Sequence, residues 1–320
     1  MSTRIRGLAV ALLFAFAAFF VQSFAGASSA PAATASLEAP PAAETFTVGT
    51  LRVQRYGDHG RPLILVPGLE NGSWAWRGEI ERFRHDHVVY AVTLAGFDGV
   101  PAPKHRADLA GQAVASLADL IRSRHIDKPV LIGHSVGGAL VTLFAEQHSN
   151  LIAGVVAVDG LPIFPGMEGM TRVQRQAEAD KMAAEVAHAT PQQFEKQAFS
   201  FMQPPCTIDP AVEARYLPLM ARSDQATVAE YLKQGIPSDF RPGLKNITVP
   251  LLEISPYYAP DFSEPSMKST EAEKTAYYQL QLKGTPDARV LSISPSRHCV
   301  MFDQPEKLDR AIADFLQRLQ

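Results

Sequence analysis

The chain has 320 residues, of which 46% are hydrophobic and 20% charged, and its formal net charge is −3. This composition excludes a largely disordered chain and provides enough apolar side chains for a sizeable core, which favours one large domain over two. The charge is nearly balanced and forms no basic stripe, so we expect no nucleic-acid partner.

The first 27 residues have the pattern of a secretory signal peptide. Arg4 and Arg6 precede an uncharged, largely apolar run from Gly7 to Val21, and small residues follow up to Ala27. The apolar run is shorter than the roughly 20 residues that a membrane-spanning helix needs. The pattern therefore favours a cleaved signal over a membrane anchor, and we expect an exported protein, periplasmic or secreted, without stable membrane insertion after cleavage.

Two further features bear on the exported chain. Residues 28–45 are rich in alanine and proline, which predicts a disordered linker ahead of a folded domain over residues 46–320. Cys206 and Cys299 are the two cysteines of the chain, and an oxidising compartment would allow them to form a disulfide. The sequence leaves open whether they pair or remain two buried thiols.

From Glu44 onward, the hydrophobic pattern predicts strands that alternate with helices. The predicted elements in chain order are a hairpin (ETFTVGT and LRVQRYG), a strand (RPLILVPG), a helix (SWAWRGEIERF), a strand (HVVYAVTLAG), a helix (RADLAGQAVASLADLIRSRH), a strand (PVLIGHS), a helix (VGGALVTLFAEQHS) and a strand (LIAGVVAVDG). This order indicates an α/β fold with a mostly parallel sheet that is covered on both faces.

Residues 161–246 interrupt this alternation. They are rich in helix-forming residues and contain scattered methionines and aromatics, after which the strands VPLLEIS and ARVLSIS, separated by a helix and followed by a closing helix, resume the pattern. A helical insertion late in a parallel sheet covers the carboxyl ends of the strands, where ligands bind. Because methionine-rich surfaces adapt to varied apolar ligands, we expect a small apolar acyl substrate.

One pentapeptide carries the strongest chemical signal. Residues 133–137 read GHSVG, a G-x-S-x-G pattern that lies between the apolar run PVLI and the helical run ALVTLF. A nucleophile at the tip of a strained strand-to-helix turn needs neighbours without side chains. Serine between glycines also makes an ordinary helix N-cap, but the flanking strand and helix favour Ser135 as a nucleophile.

The order of elements, the PVLIGHSVGG stretch and the late insertion resemble the α/β-hydrolase fold over roughly residues 46–320. VPGLENGSW resembles the loop that follows the third strand in that superfamily, with Pro67 at the place of a histidine, and DFRPGLKNITVPLLEI resembles the lead into the seventh strand. The resemblance implies an α/β-hydrolase fold: a mostly parallel central sheet flanked by helices, with a helical cap inserted between strands 6 and 7.

The resemblance also implies a catalytic histidine and acid. His298, in SPSRHCVMFDQPE, lies after the last strand and before the last helix, where this fold carries its general base. The acid has two candidates: Asp159 ends the strand after the nucleophile's strand, whereas Asp261 follows the seventh strand, the more common site, but two residues beyond the expected spacing. We favour Asp159 and keep Asp261 as the alternative.

The remaining predicted site residues surround the serine. The backbone N–H groups of Leu69 and Val136 are the expected oxyanion donors, because one follows the Pro67-Gly68 turn and the other follows the nucleophile. Trp74 and Phe97 are candidates to line the substrate pocket, although packing of helices on the sheet would explain such aromatics equally well.

These observations predict a serine hydrolase that cleaves a carboxylic ester or a related acyl bond, such as a lactone, through an acyl-enzyme. An acyltransferase or a cofactor-free haloperoxidase-like enzyme could use the same triad, and a non-catalytic binding protein is the third possibility. The sequence contains no dinucleotide fingerprint, P-loop or HExxH motif, so we expect no cofactor and no metal. Serine at the elbow argues against the epoxide hydrolase branch, which attacks through a carboxylate.

Overall fold

Eight strands form one sheet in the computed structural model, which describes residues 39–197, 200–201, 204–265 and 267–319. The strands are β1 (Glu44–Val48), β2 (Leu51–Tyr56), β3 (Leu63–Val66), β4 (Val89–Leu94), β5 (Val130–His134), β6 (Gly154–Val158), β7 (Leu251–Pro256) and β8 (Ala288–Ile293). Their order across the sheet is β1-β2-β4-β3-β5-β6-β7-β8. β2 is antiparallel to both of its neighbours, and all other neighbouring pairs are parallel, as the sequence predicts.

Helices follow most of the parallel strands. They are α1 (Arg77–Phe83), α2 (Leu109–Ser123), α3 (Val136–His148), α4 (Arg172–His188), α5 (Pro191–Glu195), α6 (Pro210–Met220), α7 (Gln225–Gly235), α8 (Glu271–Gln281), α9 (Val300–Asp303) and α10 (Pro305–Gln317). Short 3₁₀ helices occupy Ser73–Trp76, Ser149–Leu151, Arg241–Asn246 and Ala259–Phe262.

The core lies on both faces of the sheet, because successive side chains of a strand point to opposite sides. In β3, Ile64 and Val66 pack in the cluster that contains α2 and α3, whereas Leu63 and Leu65 pack in the cluster that contains α1 and α10. All four side chains are fully buried. This arrangement explains why the strand is apolar throughout and does not alternate with polar residues.

The insertion between β6 and β7 is the predicted helical cap, formed by α4 to α7. Thr171 and Thr190 begin α4 and α5 with capping boxes, in which the threonine side chain accepts a hydrogen bond from the third helical residue and a glutamine side chain accepts one from the threonine N–H. Buried residues of the cap join the main core, including Val186 of α4 and Val228 of α7. The cap is thus packed firmly onto the sheet.

Only part of the N-terminal region lies within the described residues. The predicted signal peptide, residues 1–27, lies outside the described residues, as does most of the predicted linker. β1 begins at Glu44, two residues inside that linker, and the N–H of Ala43 donates to the carbonyl of Arg55 at 2.9 Å. The linker prediction is therefore wrong for its last residues, because they pair with β2. Within the described ranges, no helix is both long enough and apolar enough to cross a bilayer.

Candidate active site

Ser135 lies at the turn between β5 and α3. Its backbone dihedrals are φ 54° and ψ −121°, a conformation that costs energy for any residue with a side chain. Its N–H donates to the carbonyl of Val158 in β6 at 2.9 Å. Gly137 allows the turn to pack closely, since a Cβ there would lie 2.3 Å from the carbonyl oxygen of Val66. The serine is therefore held in a strained turn at the carboxyl end of the sheet.

His298 and Asp159 meet at the same edge of the sheet. Asp159 directly follows β6, and His298 precedes α9; the imidazole Nδ1 lies 2.5 Å from the carboxylate Oδ2 of Asp159. β5 and β6 are neighbours, with His134 in register with Val158, so the serine and the aspartate leave adjacent strand ends. Ser135 and Asp159 thus lie at the carboxyl ends of two adjacent central strands, and His298, from the loop between β8 and α9, contacts Asp159 there.

Asp261, the alternative acid, has a different partner. It lies in the 3₁₀ helix Ala259–Phe262 and receives two hydrogen bonds from the guanidinium of Arg297, at 2.9 Å from Nε and 2.8 Å from Nη2. This bidentate ion pair is mostly buried. Asp261 therefore positions the residue that precedes His298, while Asp159 contacts His298 itself.

His134 connects the serine turn to the histidine loop. Its Nε2 lies 3.0 Å from the carbonyl oxygen of His298, and the two imidazole rings are 4.5 Å apart. Burial, followed by the nearby His298, lowers the pKa of His134 to about 3. His134 is therefore neutral, with Nε2–H as the donor to this carbonyl and Nδ1 unprotonated.

The carboxylate of Asp159 is kept ionised in a largely buried place. Burial alone would raise its pKa, but the charge and hydrogen bond of His298, together with Lys274 and Tyr278, hold the pKa well below its ordinary value. The hydroxyl of Tyr278 donates to Oδ1, the oxygen that His298 does not use. Asp159 can thus accept from both neighbours and stabilise a positive charge on the imidazole.

The turn after β3 lies directly over the serine. A Cβ on Gly68 would lie 2.9 Å from Nδ1 of His134 and 3.2 Å from Cβ of Ser135, so only glycine fits there without displacement. Leu69 follows this glycine. Val136 is the first residue of α3, and the first N–H groups of a helix have no partner within it. Val136 is thus adjacent to the serine in the chain, and Leu69 follows the glycine that packs against it; the role of their N–H groups as oxyanion donors stays a prediction.

The two predicted pocket aromatics are buried beneath the cap. Trp74 packs against Tyr216 of α6, at 6.3 Å between ring centres, and against Phe302 of α9, at 6.4 Å, and these two rings also contact each other at 5.3 Å. Phe97 is fully buried and packs against Tyr231 of α7 at 5.0 Å. Both side chains join the cap to the body of the protein, and contact with substrate stays a prediction for each.

Cys206 and Cys299 form a disulfide, which resolves the alternative that the sequence left open. Cys206 belongs to the insertion, and Cys299 is the neighbour of His298. The N–H of Cys299 also donates to the carbonyl of Cys206 at 2.8 Å. The cap is therefore bonded covalently to the loop that carries His298.

Sequence reasoning missed three buried groups around Asp159. Tyr278 and Lys274 lie on one face of α8, and Glu253 lies in β7, where its carboxyl accepts a hydrogen bond from the N–H of Gly160 at 3.0 Å. The spacing of four residues between Lys274 and Tyr278 was a usable signal, because it places both on the same side of a helix. Nothing in the pattern indicated that this side would face Asp159.

The described ranges contain no cluster of three or more histidine, cysteine, aspartate or glutamate side chains that could hold a metal ion.

A family model described as "Alpha/beta hydrolase family" matches residues 63–311. The chain belongs to the alpha/beta hydrolase family. This membership confirms the predicted fold class and supports a hydrolase.

Individual relatives match with low identity. Epoxide hydrolase 3 from Xenopus tropicalis is 30% identical over 105 residues, which are 32% of this chain and 29% of that protein. The chain thus matches less than a third of that relative's length. Among solved structures, a thermophilic esterase from Thermogutta terrifontis has a TM-score of 0.69 and 19% identity, covering 87% of this chain and 99% of that one. An enol-lactonase from Burkholderia xenovorans LB400 has a TM-score of 0.61 and 19% identity, covering 86% and 100%. Likeness at such identity shows the shared fold alone.

Proposed function

We propose that this member of the alpha/beta hydrolase family is a serine hydrolase that cleaves a carboxylic ester or a related acyl bond, such as a lactone. One observation carries the proposal: Ser135 occupies a strained turn at the same sheet edge where His298 and Asp159 are hydrogen-bonded at 2.5 Å. Strain of this kind persists where the surrounding structure enforces it, and it is common at catalytic positions.

The mechanism follows from the chemistry of these groups. His298 takes the proton of the Ser135 hydroxyl as its oxygen attacks the acyl carbon, and Asp159 stabilises the imidazolium that forms. The N–H groups of Leu69 and Val136 stabilise the negative charge on the acyl oxygen. The leaving alcohol takes the proton from His298, and a water molecule then repeats the sequence to release the acid and restore the serine.

Serine as the nucleophile also separates this chain from an epoxide hydrolase reaction. Attack of a serine oxygen on an epoxide carbon would leave an ether on the enzyme, which water does not cleave under these conditions. Attack on an ester leaves an acyl-enzyme, which water does cleave. The identity of residue 135 therefore supports acyl chemistry, although curated relatives include epoxide hydrolases.

Two features support the remaining parts of the proposal. The aromatic and apolar side chains beneath the cap, such as Trp74 and Tyr216, favour an apolar acyl substrate. The disulfide between Cys206 and Cys299 supports an exported protein in an oxidising compartment, as the N-terminal pattern predicts.

Kinetics with p-nitrophenyl esters of graded chain length test the proposal. Ser135→Ala should lower kcat/KM by at least about a thousandfold, because it removes the nucleophile. Ser123→Ala is the matched control, since Ser123 is exposed and its hydroxyl donates to the carbonyl of Asp119 in its own helix. Retention of most activity in Ser135→Ala would refute the proposal. Product analysis with an alcohol present distinguishes hydrolysis from acyl transfer on the same serine.

A further inference from the structure

We propose that Tyr278 is a positioning residue for the catalytic triad, in which its buried phenol orients the carboxylate of Asp159 toward His298 and Lys274 supplies a neighbouring positive charge. This inference rests on the proposed function, because it assigns Asp159 as the triad acid. It concerns a helix that lies more than 100 residues from Asp159 in the chain.

The two oxygens of Asp159 have separate donors. Nδ1 of His298 lies 2.5 Å from Oδ2, and the hydroxyl of Tyr278 donates to Oδ1. A carboxylate with a single donor can rotate about its Cβ–Cγ bond, whereas donors on both oxygens fix its plane. The phenol therefore determines the direction in which Oδ2 faces the imidazole.

The phenol is suited to this task because it keeps its proton. Tyr278 is 3% exposed, and burial, followed by the negative charge of Asp159, raises its pKa well above the ordinary value. A tyrosine in this state is a permanent donor across the pH range in which an esterase works. It cannot accept the proton that catalysis moves.

Lys274 supplies positive charge on the same face of α8, one turn before Tyr278. Its ammonium donates to the carbonyl of Pro256 at 2.5 Å and lies 5.6 Å from the ring centre of Tyr278. Burial lowers its pKa, and the charges of Asp159 and Asp261 act in the opposite direction. Because the side chain is enclosed, its attraction for Asp159 is weakly screened.

The other ionisable groups near Asp159 do not supply the hydrogen bond of Tyr278 or the positive charge of Lys274. Glu253 of β7 faces Asp159, but burial raises its pKa well above the ordinary value, which favours its uncharged form. His134 is likewise neutral. The charged and donor groups that act on the carboxylate are therefore His298, Tyr278 and Lys274.

The chain offers a matched control in the adjacent residue. Tyr277 is also 3% exposed, and its hydroxyl also donates to a carboxylate, but that carboxylate belongs to Glu168 at the edge of the cap. Tyr277→Phe and Tyr278→Phe thus remove the same atom from the same depth and the same helix. Only Tyr278→Phe removes a donor from Asp159.

The experiment compares both variants with the unaltered protein on a p-nitrophenyl ester across pH. Tyr278→Phe should lower kcat about ten- to a hundredfold with KM nearly unchanged, since a hydrogen bond to a charged group is lost without loss of substrate contact. The acid limb of the kcat/KM profile should move to higher pH. Without the phenol, the negative charge of Asp159 is less compensated and therefore stabilises the protonated form of His298 more strongly. Lys274→Met should move this limb in the same direction. Tyr277→Phe should do neither.

A second readout does not depend on turnover. Proton NMR should show a strongly downfield signal for the Nδ1–H of His298 in the unaltered protein, and this signal should shift in Tyr278→Phe while Tyr277→Phe leaves it unchanged. Equal behaviour of the two phenylalanine variants in kinetics and NMR would overturn the inference. If Ser135→Ala kept its activity, the proposed function would fail first, and the two failures are therefore distinguishable.

Discussion

Replacing the two candidate acids gives the sharpest quantitative prediction about the site. In Asp159→Asn, the imidazolium formed during catalysis loses the charge that faces it. Two unit charges about 4 Å apart attract each other by about 4 kcal/mol at an effective dielectric constant near 20. A loss of that size in the transition state lowers kcat about a thousandfold. The amide can also donate to Nδ1 and favour the wrong tautomer of His298, which adds to the loss.

Asp261→Asn is the control, because it alters a carboxylate of similar exposure that contacts Arg297. It should lower kcat by less than about tenfold, since the loss affects the placement of the loop and not the charge on His298. The assay is steady-state hydrolysis of a p-nitrophenyl ester, with circular dichroism to verify folding. A larger loss in Asp261→Asn than in Asp159→Asn would refute our assignment of the acid.

Three further changes test other parts of the structure. Reduction of the disulfide, or Cys206→Ser with Cys299→Ser, should lower the free energy of unfolding by up to about 5 kcal/mol, as expected from the loop entropy of two cysteines 93 residues apart; equal urea midpoints for both forms would contradict this. Gly68→Ala should lower kcat about a hundredfold, because the new Cβ would lie 2.9 Å from Nδ1 of His134 and 3.2 Å from Cβ of Ser135, so that the turn or His134 must shift; unchanged kinetics would contradict this close packing. Burial raises the pKa of Glu79 from 4.5 to about 8. Between these two pH values, the folded state keeps a proton on Glu79 that the unfolded state has lost. The free energy of unfolding should therefore decrease by up to about 5 kcal/mol as the pH rises from about 4.5 to about 8. Glu79→Gln should reduce this decrease in urea titrations at each pH, and an identical slope would contradict the placement of Glu79.

The sequence predicts those parts of the fold that depend on local pattern. The strand before Ser135, the helix after it and the glycines between them are contiguous, so the strained turn can be recognised without any distant contact. The insertion is recognisable for the same reason, since it interrupts a regular alternation. These elements also fix the edge of the sheet at which a site must lie.

The sequence does not predict contacts between distant segments. Asp159 and Asp261 both follow a strand at the correct edge, and only the packing shows which one faces His298. Arg297 explains why Asp261 does not face His298, because its guanidinium donates to both carboxylate oxygens of Asp261. The neighbours of Asp159 on α8 were missed for a similar reason: a lysine on a helix normally indicates a solvated face, whereas Lys274 is buried.

The most direct test of the account is chemical labelling of the nucleophile. The protein is incubated with a fluorophosphonate, which reacts with an activated serine, and is then analysed by intact mass and peptide mapping. The account predicts one adduct per chain, located on Ser135, with parallel loss of esterase activity and with no adduct in Ser135→Ala. An adduct on another residue, or inhibition and labelling that persist in Ser135→Ala, would contradict it.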